Sequence, residues 1–181
     1  MKHFLMLAAL LAGAFCMADD LLVNGDMKTN KGWVPWGRGP KNPADKMKTI
    51  AYVNEGPNGE RVLKFEENFT DCNPYLFQLI PVSGVTAEQK YKASFQLKAE
   101  KGQQVTVMLQ MFGAKFKFLG IRNAVVTGTG EWKKYDVTFT KPIADTEKFG
   151  LAFSPLAGKA MADKAQTGSF LLADVSLELV K

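Results

Sequence analysis

The sequence predicts an all-β domain built from two packed antiparallel sheets. Three observations carry that reading. Helical periodicity is nearly absent along the chain, while apolar and polar residues alternate with period two over many short stretches. Turn residues separate those stretches, as in Gly56-Pro57-Asn58-Gly59 and Thr127-Gly128-Thr129-Gly130. One face of most stretches is polar, as expected where each sheet keeps one face on a core and one in water.

The chain begins with a short cationic start, Lys2 and His3, followed by the apolar run Phe4 to Ala14 and the small-residue end Cys16-Met17-Ala18. That is the layout of a secretory signal peptide over residues 1–18. The run is short of the roughly 20 residues a bilayer span needs. Nothing later is long and apolar enough to span, so no membrane segment is expected in the mature chain. Export to a secreted, periplasmic or cell-surface location follows, with residues 19–181 forming one domain.

Two counts then narrow the chemistry. The only histidine, His3, leaves with the leader, which excludes His triads, His general bases and His metal sites. Of two cysteines only Cys72 remains, so no internal disulfide and no cysteine zinc cluster is expected. The charge is mildly basic, 23 Lys and Arg against 18 Asp and Glu, and the lysines are dispersed. Such a field does not point to nucleic acid, but it is compatible with an anionic glycan.

In chain order, the first strands are expected near 49–54, 61–66 and 74–82. The clearest strand is Tyr91 to Ala99, where Tyr91, Ala93, Phe95, Leu97 and Ala99 oppose Lys92, Ser94, Gln96 and Lys98. Next, Val105, Val107, Leu109 and Met111 oppose Thr106, Met108 and Gln110. Phe116 and Phe118 alternate with Lys115 and Lys117. Tyr135, Val137 and Phe139 share a face, as do Phe149, Leu151 and Phe153. Val175, Leu177 and Leu179 end the chain opposite Asp174, Ser176 and Glu178. Eight to ten strands result, and 154–168 reads as a long loop.

Five pieces stand out: Leu21-Leu22-Val23-Asn24-Gly25-Asp26-Met27 with Gly32-Trp33-Val34-Pro35-Trp36-Gly37, then Asn73 to Leu79, Tyr91 to Ala99, Glu131 to Phe139 and Leu172 to Leu177. Together they resemble the family four/nine carbohydrate-binding modules. They fall in the family's order over nearly all of 21–179. The resemblance implies a jelly-roll sandwich related to galactose-binding-like domains, with a concave outer sheet that takes up a glycan chain. It also implies a structural calcium where the termini meet. Asp174 matches the family's carboxylate, and the carbonyls from Leu22 to Asn24 would supply much of the rest. Met27, Lys28 and Ala173 depart from the family pattern there.

Candidate binding residues follow. Aromatic rings suit the apolar faces of pyranoses. Trp36 and Tyr75 are named for that role, while Trp33 reads as packing. Gln78 interrupts the apolar run Leu76 to Ile80. If Phe77 and Leu79 fill the core, Gln78 faces outward, where its amide could donate to one sugar hydroxyl and accept from another. The resemblance also puts a cleft glutamine at this spot. Gln110 is placed in the same role, Lys115 at the rim, and Gln96 and Arg38 are weaker candidates of the kind.

No catalytic residue is assigned. Glu66 and Glu67 are adjacent and face opposite ways, and Asp174 and Glu178 do not sit in the array expected of jelly-roll glucanases. Asn68-Phe69-Thr70 matches an N-glycosylation sequon. The leading expectation is an exported, non-catalytic module holding a polysaccharide or oligosaccharide. A structural or interaction domain that has lost the sugar site is the alternative, and a glycoside hydrolase is third.

Overall fold

The computed structural model describes residues 20–29, 31–37, 48–67, 75–155 and 168–180. Residues 1–18, Arg38, the 68–70 sequon, Cys72 and all but the ends of the expected 154–168 loop lie outside them. Among the described residues ten strands are formed, in the order β1 (Val34–Trp36), β2 (Ile50–Val53), β3 (Val62–Glu67), β4 (Tyr75–Pro81) and β5 (Lys90–Ala99). There follow β6 (Gln104–Phe112), β7 (Phe118–Thr127), β8 (Lys133–Thr140), β9 (Lys148–Ser154) and β10 (Gly168–Val180). No α-helix occurs among the described residues.

Two five-stranded antiparallel sheets result, one ordered β1-β4-β9-β6-β7 and the other β2-β3-β10-β5-β8. From β3 onward the chain crosses repeatedly between the sheets, the winding expected of a jelly-roll sandwich. Between them lies one core. Phe95, Leu97, Val107, Leu109, Val137 and Leu177 are buried together, with Tyr135 half-buried against them. Phe95 meets Phe153 edge-on at 5.0 Å and stacks on Tyr135 at 5.7 Å. These are the alternating residues the sequence assigned to the inside: on β5, β8 and the end of β10 a wet opposite face makes the period plain, while Val107 and Leu109 come from β6 of the first sheet.

The N-terminal segment is tied along β10. Leu21 N–H donates to the Leu177 carbonyl at 3.0 Å. The Asp20 carboxylate accepts from the peptides of Leu22 and Leu177, each at 3.0 Å. Trp33, buried as expected, donates its indole N–H to the Asn24 carbonyl at 3.2 Å.

Two expectations change. The stretch 115–118 is not one strand: Ala114–Phe116 form a single 3-10 turn that closes the β6–β7 hairpin. The phase of β4 is also reversed. Leu76, Gln78 and Ile80 face the core, since Leu76 pairs with Phe153 and Gln78 with Leu151. Phe77 and Leu79 face out. Both faces of β4 are apolar, so alternation alone could not set which side is inside.

Candidate functional site

The outer face of the first sheet is a second apolar surface. Paired residues of antiparallel strands project to the same side, so one transverse row runs Val34, Phe77, Ala152, Met108 and Asn123. A neighbouring row runs Leu79, Gly150, Gln110 and Ile121. Phe77, Met108, Phe112 and Ala152 form a buried floor, with Tyr75, Leu79 and Ile121 packed around it. Gly150 makes the floor possible. A Cβ there would collide with the Phe77 ring, which lies down over the glycine.

Three rings stand exposed on this floor. Trp36 at 42 %, Phe116 at 38 % and Phe118 at 56 % are among the most accessible large apolar side chains. Trp36 stacks on Phe77 at 5.3 Å with 23° between the rings. Phe116 lies 4.6 Å from Phe112 and 6.3 Å from Trp36, while Phe118 meets Phe112 edge-on at 5.8 Å. Clustered exposed rings on a rigid base mark an interaction surface more than a stability device. The 3-10 turn supports this. Lys115 and Phe116 have φ of 54° and 65°, left-handed values that a bulky side chain adopts at a cost. Backbone bonds from Gly113 N–H to the Lys117 carbonyl and from Lys117 N–H to the Ala114 carbonyl hold the turn in place.

Of the predicted residues, Trp36, Tyr75 and Gln110 lie on this face, and Lys115 sits exposed in the turn at its rim. Gln110 is buried, and its amide donates to the Tyr75 hydroxyl oxygen at 2.9 Å. It therefore orients Tyr75 instead of meeting solvent itself. Burial pushes the Tyr75 hydroxyl up, with the Gln110 bond opposing. The phenol stays protonated near neutrality, with its own hydrogen free to donate.

Gln78 does not belong to the face. It is 2 % exposed, and its amide makes a reciprocal pair with Val23: Val23 N–H donates to Oε1 and Nε2 donates to the Val23 carbonyl, both at 2.8 Å. Its polarity serves a backbone peptide brought in by the N-terminal segment, a partner that no reading of β4 alone reveals. Gln96 lies on β5 in the other sheet, where its Nε2 donates to Asp174 at 2.6 Å. The outward amides of Gln96 and Gln110 are thus on opposite sides of the molecule. Phe77, Phe112, Phe116 and Phe118 also lie on this face, and the sequence names none of them as binding residues. The Lys-Phe-Lys-Phe run is the local signal for two of them, and it has the look of strand alternation.

Asp174 occupies a β-bulge in β10, with φ of 48°, and is exposed. Two of the three carbonyls expected beside it already accept hydrogen bonds: that of Val23 from Gln78, and that of Asn24 from both Trp33 and Met27. Among the described residues no three His, Cys, Asp or Glu side chains converge. Calcium wants six to eight oxygens, and this donor set does not fit one.

The five strands of the aromatic face contain no Asp or Glu. On the other sheet, Glu66 pairs with Lys64 at 2.7 Å and Glu178 approaches Lys92 at 3.9 Å. The strands of the face therefore offer no carboxylate pair for glycosidic cleavage.

The model of the CBM_4_9 carbohydrate binding domain family matches residues 19–156. The chain belongs to this family. Membership makes it a carbohydrate-binding domain. Solved structures share the fold. The CBM22-1 xylan-binding domain of Paenibacillus barcinonensis Xyn10C is 15 % identical with a TM-score of 0.57, over 91 % of this chain and 96 % of that one. TmCBM61 in complex with beta-1,4-galactotriose is 20 % identical with a TM-score of 0.54, over 88 % and 98 %. The enzymatically active domain of bacteriophage CBA120 tailspike protein 4 is 10 % identical with a TM-score of 0.62; this chain covers only 21 % of it. No curated protein matches the sequence.

Proposed function

We propose that this is an exported carbohydrate-binding domain that holds a polysaccharide or oligosaccharide on the outer face of the β1-β4-β9-β6-β7 sheet and does not cleave it. The observation that carries the reading is the trio of exposed rings, Trp36, Phe116 and Phe118, set on a buried aromatic floor. A pyranose presents an apolar face that such a ring can cover, and neighbouring rings can take successive sugars. Tyr75, oriented by Gln110, supplies a hydroxyl donor within the same surface. Export rests on the signal-like residues 1–18. The absence of acidic residues from the strands of the face supports binding without hydrolysis. Structural neighbours that hold β-1,4-galactotriose or bind xylan support a glycan chain as the ligand.

The test is retardation of the purified mature domain in native gels containing xylan, β-1,4-galactan or other polysaccharides. Trp36→Ala and Phe118→Ala should each weaken retention severalfold, since loss of a central ring contact commonly costs more than about 1 kcal/mol, with the melting temperature little changed. No retardation on any polymer would favour a structural domain. Retardation unaffected by either substitution would place the site elsewhere.

A further inference from the structure

The charge on the aromatic face is one-sided. Among the described residues, every Asp or Glu that falls within a strand lies in the other sheet: Glu66, Glu67, Asp136, Asp174 and Glu178. The face itself carries Lys148 at the start of β9, and its hairpin turn adds Lys115 and Lys117. Lys148 places its ammonium 5.4 Å from the centre of the Phe116 ring, at the edge of the platform. Lys115 is held exposed beside Phe116 by the left-handed turn. None of the three lysines pairs with a carboxylate among the described residues. Arg122 of β7 is different, because its guanidinium is spent on the carbonyls of Ile121, Thr140 and Lys141. The nearest acids in sequence to Lys148, Asp145 and Glu147, line a shallow cleft with Val82 to Val85 instead.

We infer that the ligand is an anionic polysaccharide, whose sugar rings stack on Trp36, Phe116 and Phe118 while its acidic groups meet Lys115, Lys117 and Lys148. This deepens the reading above and rests on it. A neutral glycan would make no use of the Lys148 ammonium over the Phe116 ring or of the two lysines of the adjoining turn. An acidic one finds cations unopposed by any carboxylate from the same strands. Exposed charge pairs are screened over about 8–10 Å at physiological salt, so the charged part of the affinity must fall as salt rises while ring stacking persists.

The experiment compares polymers that share a backbone: polygalacturonate with its carboxyl-reduced form, and carrageenan with its desulfated form, by affinity gel at 20 and 200 mM salt. At least one charged member should bind about tenfold more tightly than its neutral counterpart at low salt, and the two arms separate carboxylate from sulfate recognition. A Lys115→Gln/Lys148→Gln variant should lose that preference, while Lys98→Gln/Lys134→Gln on the opposite sheet, with the same net charge, should keep it. Equal binding of charged and neutral members, or equal loss in both double variants, overturns the inference. Binding only to neutral glycans overturns it but leaves the sugar-binding face standing, and binding to no glycan overturns both.

Discussion

Replacing Gln78 by alanine removes two hydrogen bonds at once and should damage stability, not binding. Both bonds to Val23 are 2.8 Å long, and Gln78 is 2 % exposed. A hydrogen bond of this kind contributes about 1–1.5 kcal/mol net, so the pair is worth about 2–3 kcal/mol. Val23 as a residue is 48 % exposed, so water can partly satisfy its freed backbone groups and keep the cost within that range. For a domain of this size each kcal/mol moves the melting temperature by roughly 2–4 °C, giving a fall of about 4–12 °C. Scanning calorimetry on the mature domain measures it, and affinity for a retained polysaccharide at 15 °C should be unchanged.

Gln78→Glu adds a sign. A carboxylate can accept from Val23 N–H but faces the Val23 carbonyl oxygen, so burial and that oxygen raise its folded pKa above the ordinary value of about 4.3. The variant's stability is then fullest below the ordinary value and is lost as pH rises through the raised one. Its deficit should be smaller at pH 4 than at pH 7. A severalfold loss of affinity with an unmoved melting temperature in Gln78→Ala would refute the reasoning and return Gln78 to the binding surface.

Two other substitutions probe the rest of the frame. The Tyr52 hydroxyl is buried without a hydrogen-bond partner among the described residues, and burial pushes it up to about 12, with Arg61 over the ring opposing. Its raised value means stability is intact below pH 10 and declines as pH climbs from 10 towards 12. Tyr52→Phe should therefore hold or raise the melting temperature by a few degrees at pH 7 and blunt the alkaline decline; a loss of about 2 kcal/mol or more would mean the hydroxyl has a partner. At Asp174, excess chelator should leave the melting temperature of wild type and Asp174→Ala unchanged, and a chelator-dependent drop in wild type alone would show that calcium sits there after all.

How far the sequence could be read differs from strand to strand for physical reasons. In β5 and β8 one face is wet, so alternation identified Phe95, Leu97, Tyr135 and Val137 as core. In β4 both faces are apolar, because the outer side carries the floor of the face. Alternation there has no polar side to mark the outside, and Gln78 supplied a false one. Trp36 could be placed because a two-tryptophan pattern with proline and glycine set it apart from Trp33. Phe116 could not, since a left-handed turn looks like strand alternation until φ is known. The bulge that turns Asp174 towards Gln96 is a tertiary accommodation with no local signature.

The most direct test of the binding face uses the three tryptophans as internal reporters. Trp33 and Trp132 donate their indole N–H groups to the carbonyls of Asn24 and Glu55. Trp36 stands on the aromatic platform, 42 % exposed. In a proton–nitrogen spectrum of the labelled mature domain, titration with an oligosaccharide that binds should move the Trp36 indole signal progressively while the Trp33 and Trp132 signals stay in place. A saturating shift of Trp132 with Trp36 unmoved would put the ligand on the opposite sheet and contradict the account.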